Sequence, residues 1–213
     1  MRTPGATDGG DVIHRHVVAM TFDDGPDPIW TPRILRELDQ ADAPATFFVM
    51  SIPAARHPHL IDAIGSAGHE IGLHCARHLR HTETPRSVVE ADTADALTTL
   101  AALGVTPVRW RLPWGRAAEW TESIARAHGL SIAGWSADTH DWRGDPAATM
   151  LESIDPEIVD RAVVLMHDGL GPGARRDGAL ETARLVGPLA RTIRERGCEP
   201  VSLAAMAEIP PSQ

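Results

Sequence analysis

The carboxylates and imidazoles best placed for chemistry fall in two short stretches. Thr21-Phe22-Asp23-Asp24-Gly25-Pro26 sets two adjacent carboxylates before a Gly-Pro pair that favours a turn. His74-Cys75-Ala76-Arg77-His78 sets two imidazoles four residues apart, a spacing that one helical turn would point the same way. Each stretch alone also reads as something simpler, a solvated acidic turn and a pair of surface histidines. Joined, they offer a carboxylate and two imidazoles, the donor set of a catalytic zinc that keeps a position open for water. The second carboxylate then has a use, because a water attacking a carbonyl needs a base to take its proton.

Any such site needs elements that bring the two stretches together. Short apolar runs alternate with longer segments of helical period, the rhythm of βα units. Strands are expected at 16–22, 45–49, 70–73, 108–111, 131–135, 162–166 and 200–202. Helices are expected at 30–40, 59–67, 87–103, 122–127 and 181–196, the last punctuated by Pro188. Both chemical stretches follow a strand, the edge where barrels and open doubly wound sheets alike assemble their sites. Periodicity does not separate those two architectures.

Composition limits what the chemistry can serve. The 213 residues fit one domain, 1–213, beginning with a short, polar, glycine-rich segment of about thirteen residues expected to be flexible. A net charge of −9 argues against a nucleic-acid partner, which would call for a basic surface. No apolar run approaches the ~20 residues that span a bilayer, so no membrane partner is expected. The start shows no basic segment followed by an apolar one, so the chain reads as cytoplasmic, or as secreted if a signal has been removed. Cys75 and Cys198 are too few for a disulfide framework and read as reduced. Oligomeric state is not legible.

Three further motifs turn this reading into a family resemblance. Together with the first two stretches, the sequence resembles the polysaccharide deacetylases, carbohydrate esterase family 4, whose common unit is the NodB homology domain. Arg111-Leu112-Pro113-Trp114-Gly115 is similar to that family's third motif, Asp138-Thr139-His140-Asp141-Trp142 to its fourth and Leu165-Met166-His167 to its fifth, in the family's order. The resemblance implies an α/β fold, a distorted (β/α)7-type barrel. It implies hydrolysis of the N-acetyl amide of an amino sugar in chitin, peptidoglycan or a related N-acetylglucosamine substrate, the partner being an N-acetylated glycan or a small amide.

The same resemblance distributes roles. Asp24, His74 and His78 would hold one divalent metal, zinc first, with cobalt or another divalent ion as alternatives. Asp23 would be the general base, paired with Arg111. The amide N–H of Trp114 would help to stabilise the oxyanion. His167 would protonate the departing amine, with Asp141 orienting and charging its ring. Trp142 and Leu165 would wall a small pocket for the acyl methyl.

Two residues depart from the family pattern. Cys75 stands where Ser or Thr is usual, and Leu79 where Pro is frequent. The lost hydroxyl removes a hydrogen bond beside the ligands, a kind of contact worth ~10–100-fold in metal affinity. Two rivals stay open: an allantoinase-like enzyme cleaving another C–N bond on the same fold, and a catalytically silent sugar-binding domain. Asp23 and His167 weigh against the second, since binding alone requires neither base nor acid. Arg175 and Arg176, in the glycine-rich loop 169–178, read as a solvated pair, and His81, outside the motifs, as solvated or locally bonded.

Overall fold

The computed structural model describes residues 15–211, so the segment expected to be flexible, about 1–13, lies outside the described residues. The strands are β1 (His16–Asp23), β2 (Thr46–Met50), β3 (Glu70–Cys75), β4 (Arg109–Trp110), β5 (Ser131–Ile132), β6 (Ala137–Asp138), β7 (Val163–His167) and β8 (Cys198–Val201). Every pairing is parallel, in the order β5-β4-β3-β2-β1-β7-β6. Ala19 pairs with Val163 of β7 and with Val201 of β8, so β8 lies on the edge of β1 that β2 occupies higher up. The result is the expected parallel barrel in its distorted form, a curled sheet whose end strands β5 and β6 do not pair among the described residues.

The centre of the sheet follows directly from sequence. From Val17 to Asp23, β1 is buried throughout, as a parallel strand covered on both faces must be. Its one interior hydroxyl, Thr21 Oγ1, donates to the Val164 carbonyl at 2.7 Å. Helices α1 (Trp30–Gln40) and α7 (Leu180–Glu195) pack together over this strand, α1 burying Ile34 and Leu38, and α7 burying Leu185, Val186, Leu189 and Ile193. The helix α7 runs on through Pro188. Elsewhere, α3 (Pro58–Ser66), α4 (Arg86–Ala102) and α5 (Thr121–Ala127) fall close to their expected places.

The short elements β6, α2 (Ser51–Arg56), α6 (Ala147–Ile154) and α8 (Leu203–Glu208) have no counterpart in the sequence reading. The expected strand at 131–135 stops at Ile132, which frees Ala133 and Gly134 to offer their carbonyls to Arg111. Each chemical motif lies where a strand ends. Asp23 closes β1, His74 sits near the end of β3, Arg111 follows β4, Asp138 closes β6 and His167 closes β7. In register, Asp23 lies directly beside His167.

Candidate active site

Asp24, His74 and His78 converge. One ligand atom from each lies within 4.8 Å of the others. Asp24 Oδ1 is 3.3 Å from His74 Nε2 and 3.4 Å from His78 Nε2. Tetrahedral bonds of about 2.0–2.2 Å would separate ligand atoms by about 3.3–3.6 Å, so these spacings suit one small divalent cation. His74 Nδ1 contacts the Arg111 carbonyl at 2.8 Å and must donate to it, which leaves the neutral ring's Nε2 lone pair facing Asp24. Asp24 Oδ1 is buried with no hydrogen-bond partner, and an acceptor facing an acceptor calls for a cation between them.

The electrostatics agree. Burial works against the Asp24 anion, but His74, His167 and His78 outweigh it and hold the carboxyl well below its usual range. Burial and the neighbouring His74 push His78 down to about 4, so its ring is neutral at neutral pH. Burial disfavours the charged His74 ring, yet Asp24 and Asp23 raise its pKa overall.

The two imidazoles do not share a helical turn, contrary to the spacing argument. His74 lies in β3, and His78 in the irregular segment that follows. The carboxylate of Asp92, on α4, fixes that segment by accepting from the Ala76 amide at 3.0 Å and from the Arg77 amide at 3.1 Å. Cys75 is buried beside these ligands but does not belong to the converging group. Asp24 adopts φ 73°, a conformation costing a non-glycine residue about 1–3 kcal/mol and held here by its surroundings.

Beside this group, Asp23 is 4% exposed and Arg111 is fully buried. Arg111 Nη1 donates to Asp23 Oδ1 at 3.1 Å and to Thr21 Oγ1 at 2.5 Å, while Nη2 donates to the Gly134 carbonyl at 2.8 Å. The guanidinium also lies over the Phe48 ring, 4.2 Å from its centroid. So fixed, it leaves Asp23 little freedom to turn.

His167 Nδ1 donates to Asp141 Oδ1 at 2.7 Å, and its backbone amide donates to Oδ2 at 2.9 Å. Burial opposes the charged His167 ring, but Asp141, with Asp24 and Asp23 beyond it, pushes its pKa up to about 9. Burial would raise Asp141 in turn, yet His167, Arg176 and Thr182 hold it at about 2. At neutral pH the pair is an imidazolium on a carboxylate.

Asp23, Asp24, His74, His78 and His167 border one cleft of about 240 Å³, walled by Trp114, Trp135, Trp142, Leu112 and Leu165. The expected pocket residues Trp142 and Leu165 both line it. The Trp114 and His78 rings make a T-shaped pair at a centroid distance of 5.0 Å, and the Arg80 guanidinium lies over the Trp114 ring. The Trp114 backbone adopts φ 61°, and Gly115 follows at φ 62°, where a Cβ would also lie 2.2 Å from the Trp135 ring.

Three residues were misjudged or missed from sequence. Arg176 is not solvated: its side chain is 6% exposed and paired with Asp141 at 2.9 Å. His81 is a core residue between Trp110 and Trp120, bonded to Thr121. Asp168 was not considered. It is buried, accepts from Thr31 Oγ1 at 2.5 Å and packs against Gly25, where a Cβ would meet its carboxylate. Burial pushes its pKa up to about 7. The Gly25-Pro26 turn was a signal for this packing, because only glycine fits beside that carboxylate.

Fold and site define an α/β half-barrel protein with a group able to hold one cation at the carboxyl ends of its strands. The chain matches the polysaccharide deacetylase family over residues 12–133, and it belongs to that family. It is 34% identical to a chitooligosaccharide deacetylase of Bradyrhizobium sp. (strain ANU 289) over 89% of this chain and 90% of the relative. It is 32% identical to a peptidoglycan-N-acetylglucosamine deacetylase of Bacillus cereus over 89% of this chain and 67% of the relative. A solved peptidoglycan N-acetylglucosamine deacetylase, in complex with 4-naphthalen-1-yl-N-oxidanyl-benzamide, superposes with a TM-score of 0.84 at 27% identity, covering 93% of this chain and 91% of that one. The family expectation is thereby met, as is the expected fold. No helix among the described residues is long and apolar enough to cross a membrane.

Proposed function

We propose that this protein is a metal-dependent hydrolase that removes N-acetyl groups from N-acetylglucosamine-containing glycans, in one domain spanning 1–213. One observation carries the reading: a three-donor cation group, a clamped carboxylate, Asp23, and a charged imidazole, His167, line a single cleft. Asp24, His74 and His78 are the residues that would hold the cation, and their nitrogen-rich donor set suits zinc before calcium or magnesium. When bound, the ion supplies Lewis-acid polarisation of the acetyl carbonyl and activation of water.

The chain's own residues do the rest. Asp23, held by Arg111, takes the proton from the attacking water. The amide of Trp114 donates to the oxygen that gains charge as the carbonyl becomes tetrahedral. His167, protonated against Asp141, gives its proton to the amine nitrogen as the C–N bond breaks. Trp142 and Leu165 exclude water around the acetyl methyl. Relatives named for chitooligosaccharide and peptidoglycan substrates support a glycan amide over allantoin-like ureides.

The test is direct. Protein stripped with a chelator should release no acetate from N-acetylated chito-oligosaccharides, and one equivalent of zinc or cobalt should restore release. Allantoin should not be hydrolysed. Acetate release that is indifferent to chelation would overturn the metal assignment, and no release from any N-acetyl sugar would overturn the activity.

A further inference from the structure

The reading of the acid side gives no part to Arg176, yet this residue is built into it. Arg176 Nη1 donates to Asp141 Oδ2 at 2.9 Å and to the Thr182 hydroxyl. Its Nη2 donates to the carbonyl of His167 at 2.9 Å and to that of Gly169 at 3.3 Å. The Thr182 hydroxyl passes its own proton on to Asp141 Oδ2 at 2.7 Å. With the His167 ring and amide, Asp141 thereby receives four donors, three on Oδ2 and one on Oδ1. A carboxylate so bound cannot swing away from the His167 ring.

The guanidinium grips His167 from two directions, through the carboxylate behind its ring and through its own backbone carbonyl. It also ends a strap that crosses the cleft. Gly171 lies against the Asp24 carboxylate, Gly173 against the Trp114 ring, and the Arg175 amide donates to the Trp142 carbonyl at 2.8 Å. Neutralising Asp141 for stability would take one contact. Arg176 instead reaches the dyad, the strand end and the strap together.

We propose that Arg176, relayed by Thr182, is a positioning residue for proton transfer, fixing the Asp141–His167 pair and anchoring the strap beside it. This rests on His167 acting as the acid. The guanidinium also shares the charge of Asp141, so its removal leaves that carboxylate to hold the His167 proton more tightly. The other charged groups facing His167 are Asp23 and Asp24, from the end of β1.

Arg176→Ala, Arg176→Lys and Thr182→Val are compared with wild type on an N-acetylated chito-oligosaccharide, with zinc affinity followed by calorimetry. Arg176→Ala is expected to lower kcat about 10–100-fold while KM and zinc affinity stay within about twofold, and to move the alkaline limb of the pH profile upward. Arg176→Lys keeps the charge but not the fork, so the limb should return while kcat recovers only in part. Thr182→Val should lower kcat less than Arg176→Ala. Wild-type kcat with an unmoved limb in Arg176→Ala, or zinc affinity lost in step with kcat, overturns the proposal. If the alanine variant does not fold, wild-type kcat in the lysine variant overturns it instead. Titration of the His167 ring by NMR in substrate-free protein separates this inference from the deacetylase reading. An upward shift in Arg176→Ala supports it even if no acetyl sugar is cleaved, and no shift refutes it.

Discussion

Gly171 lies so close to Asp24 that a Cβ on the glycine would stand 2.1 Å from the carboxylate oxygen Oδ2. That oxygen belongs to the residue that supplies the only carboxylate of the converging group. Gly171→Ala must therefore push Asp24 aside or lift the strap. The expected result is at least about a tenfold loss of zinc affinity by calorimetry, with the fold intact by circular dichroism. Wild-type affinity would mean that the strap yields without disturbing the ligand.

On the proposed reading, the neighbours Asp23 and Asp24 have separable duties. Asp23→Asn keeps the three donors and should bind zinc normally, while acetate release falls about 10²–10⁴-fold with the base gone. His74→Ala removes a donor and should lose zinc itself. Near-wild-type turnover in Asp23→Asn would remove the assigned base.

Asp92 shapes the second motif from α4, outside it. Its buried carboxylate accepts from the Ala76 and Arg77 amides and from Arg77 Nε at 2.8 Å, shaping the segment that carries His78. Asp92→Ala leaves those amides without their acceptor, a cost of about 1–3 kcal/mol for each that stays buried. Thermal unfolding should shift downward and zinc affinity should fall, whereas Cys75→Ser should change affinity much less. Unchanged zinc binding in Asp92→Ala would show that the segment holds its shape unaided.

What was legible follows from range. The buried run of β1 and the apolar faces of α1 and α7 are local patterns, and they fell where periodicity placed them. All five motifs were readable because their residues lie close together in sequence. A two-residue strand such as β6 has no period to read, and α2, with Pro53 inside its six residues, gives no helical stripe. The His74–His78 spacing suggested a helical turn because spacing takes no account of the strand that holds the first ring or of Asp92 bending the segment after it. Arg176 was invisible for the same reason, since its main partner, Asp141, lies 35 positions away.

The His167–Asp141 pair sets a pH signature of definite sign. His167 is raised from 6.5 to about 9, so the stabilisation from its charged ring is complete below about pH 6.5 and is lost as pH rises through 9. Asp141 is lowered from 3.8 to about 2, so its stabilisation is complete above about pH 3.8 and is lost as pH falls through 2. Activity that needs a protonated His167 should decline along an alkaline limb near pH 9. Thermal stability should decline between about pH 6.5 and 9 as well, because one proton governs both. His167→Gln should abolish most turnover and also flatten that part of the stability profile, measured by thermal melts across buffers. If the variant loses activity but keeps the wild-type slope of melting temperature against pH, the alkaline transition belongs to another group, and His167 is not the residue whose charge ties catalysis to stability.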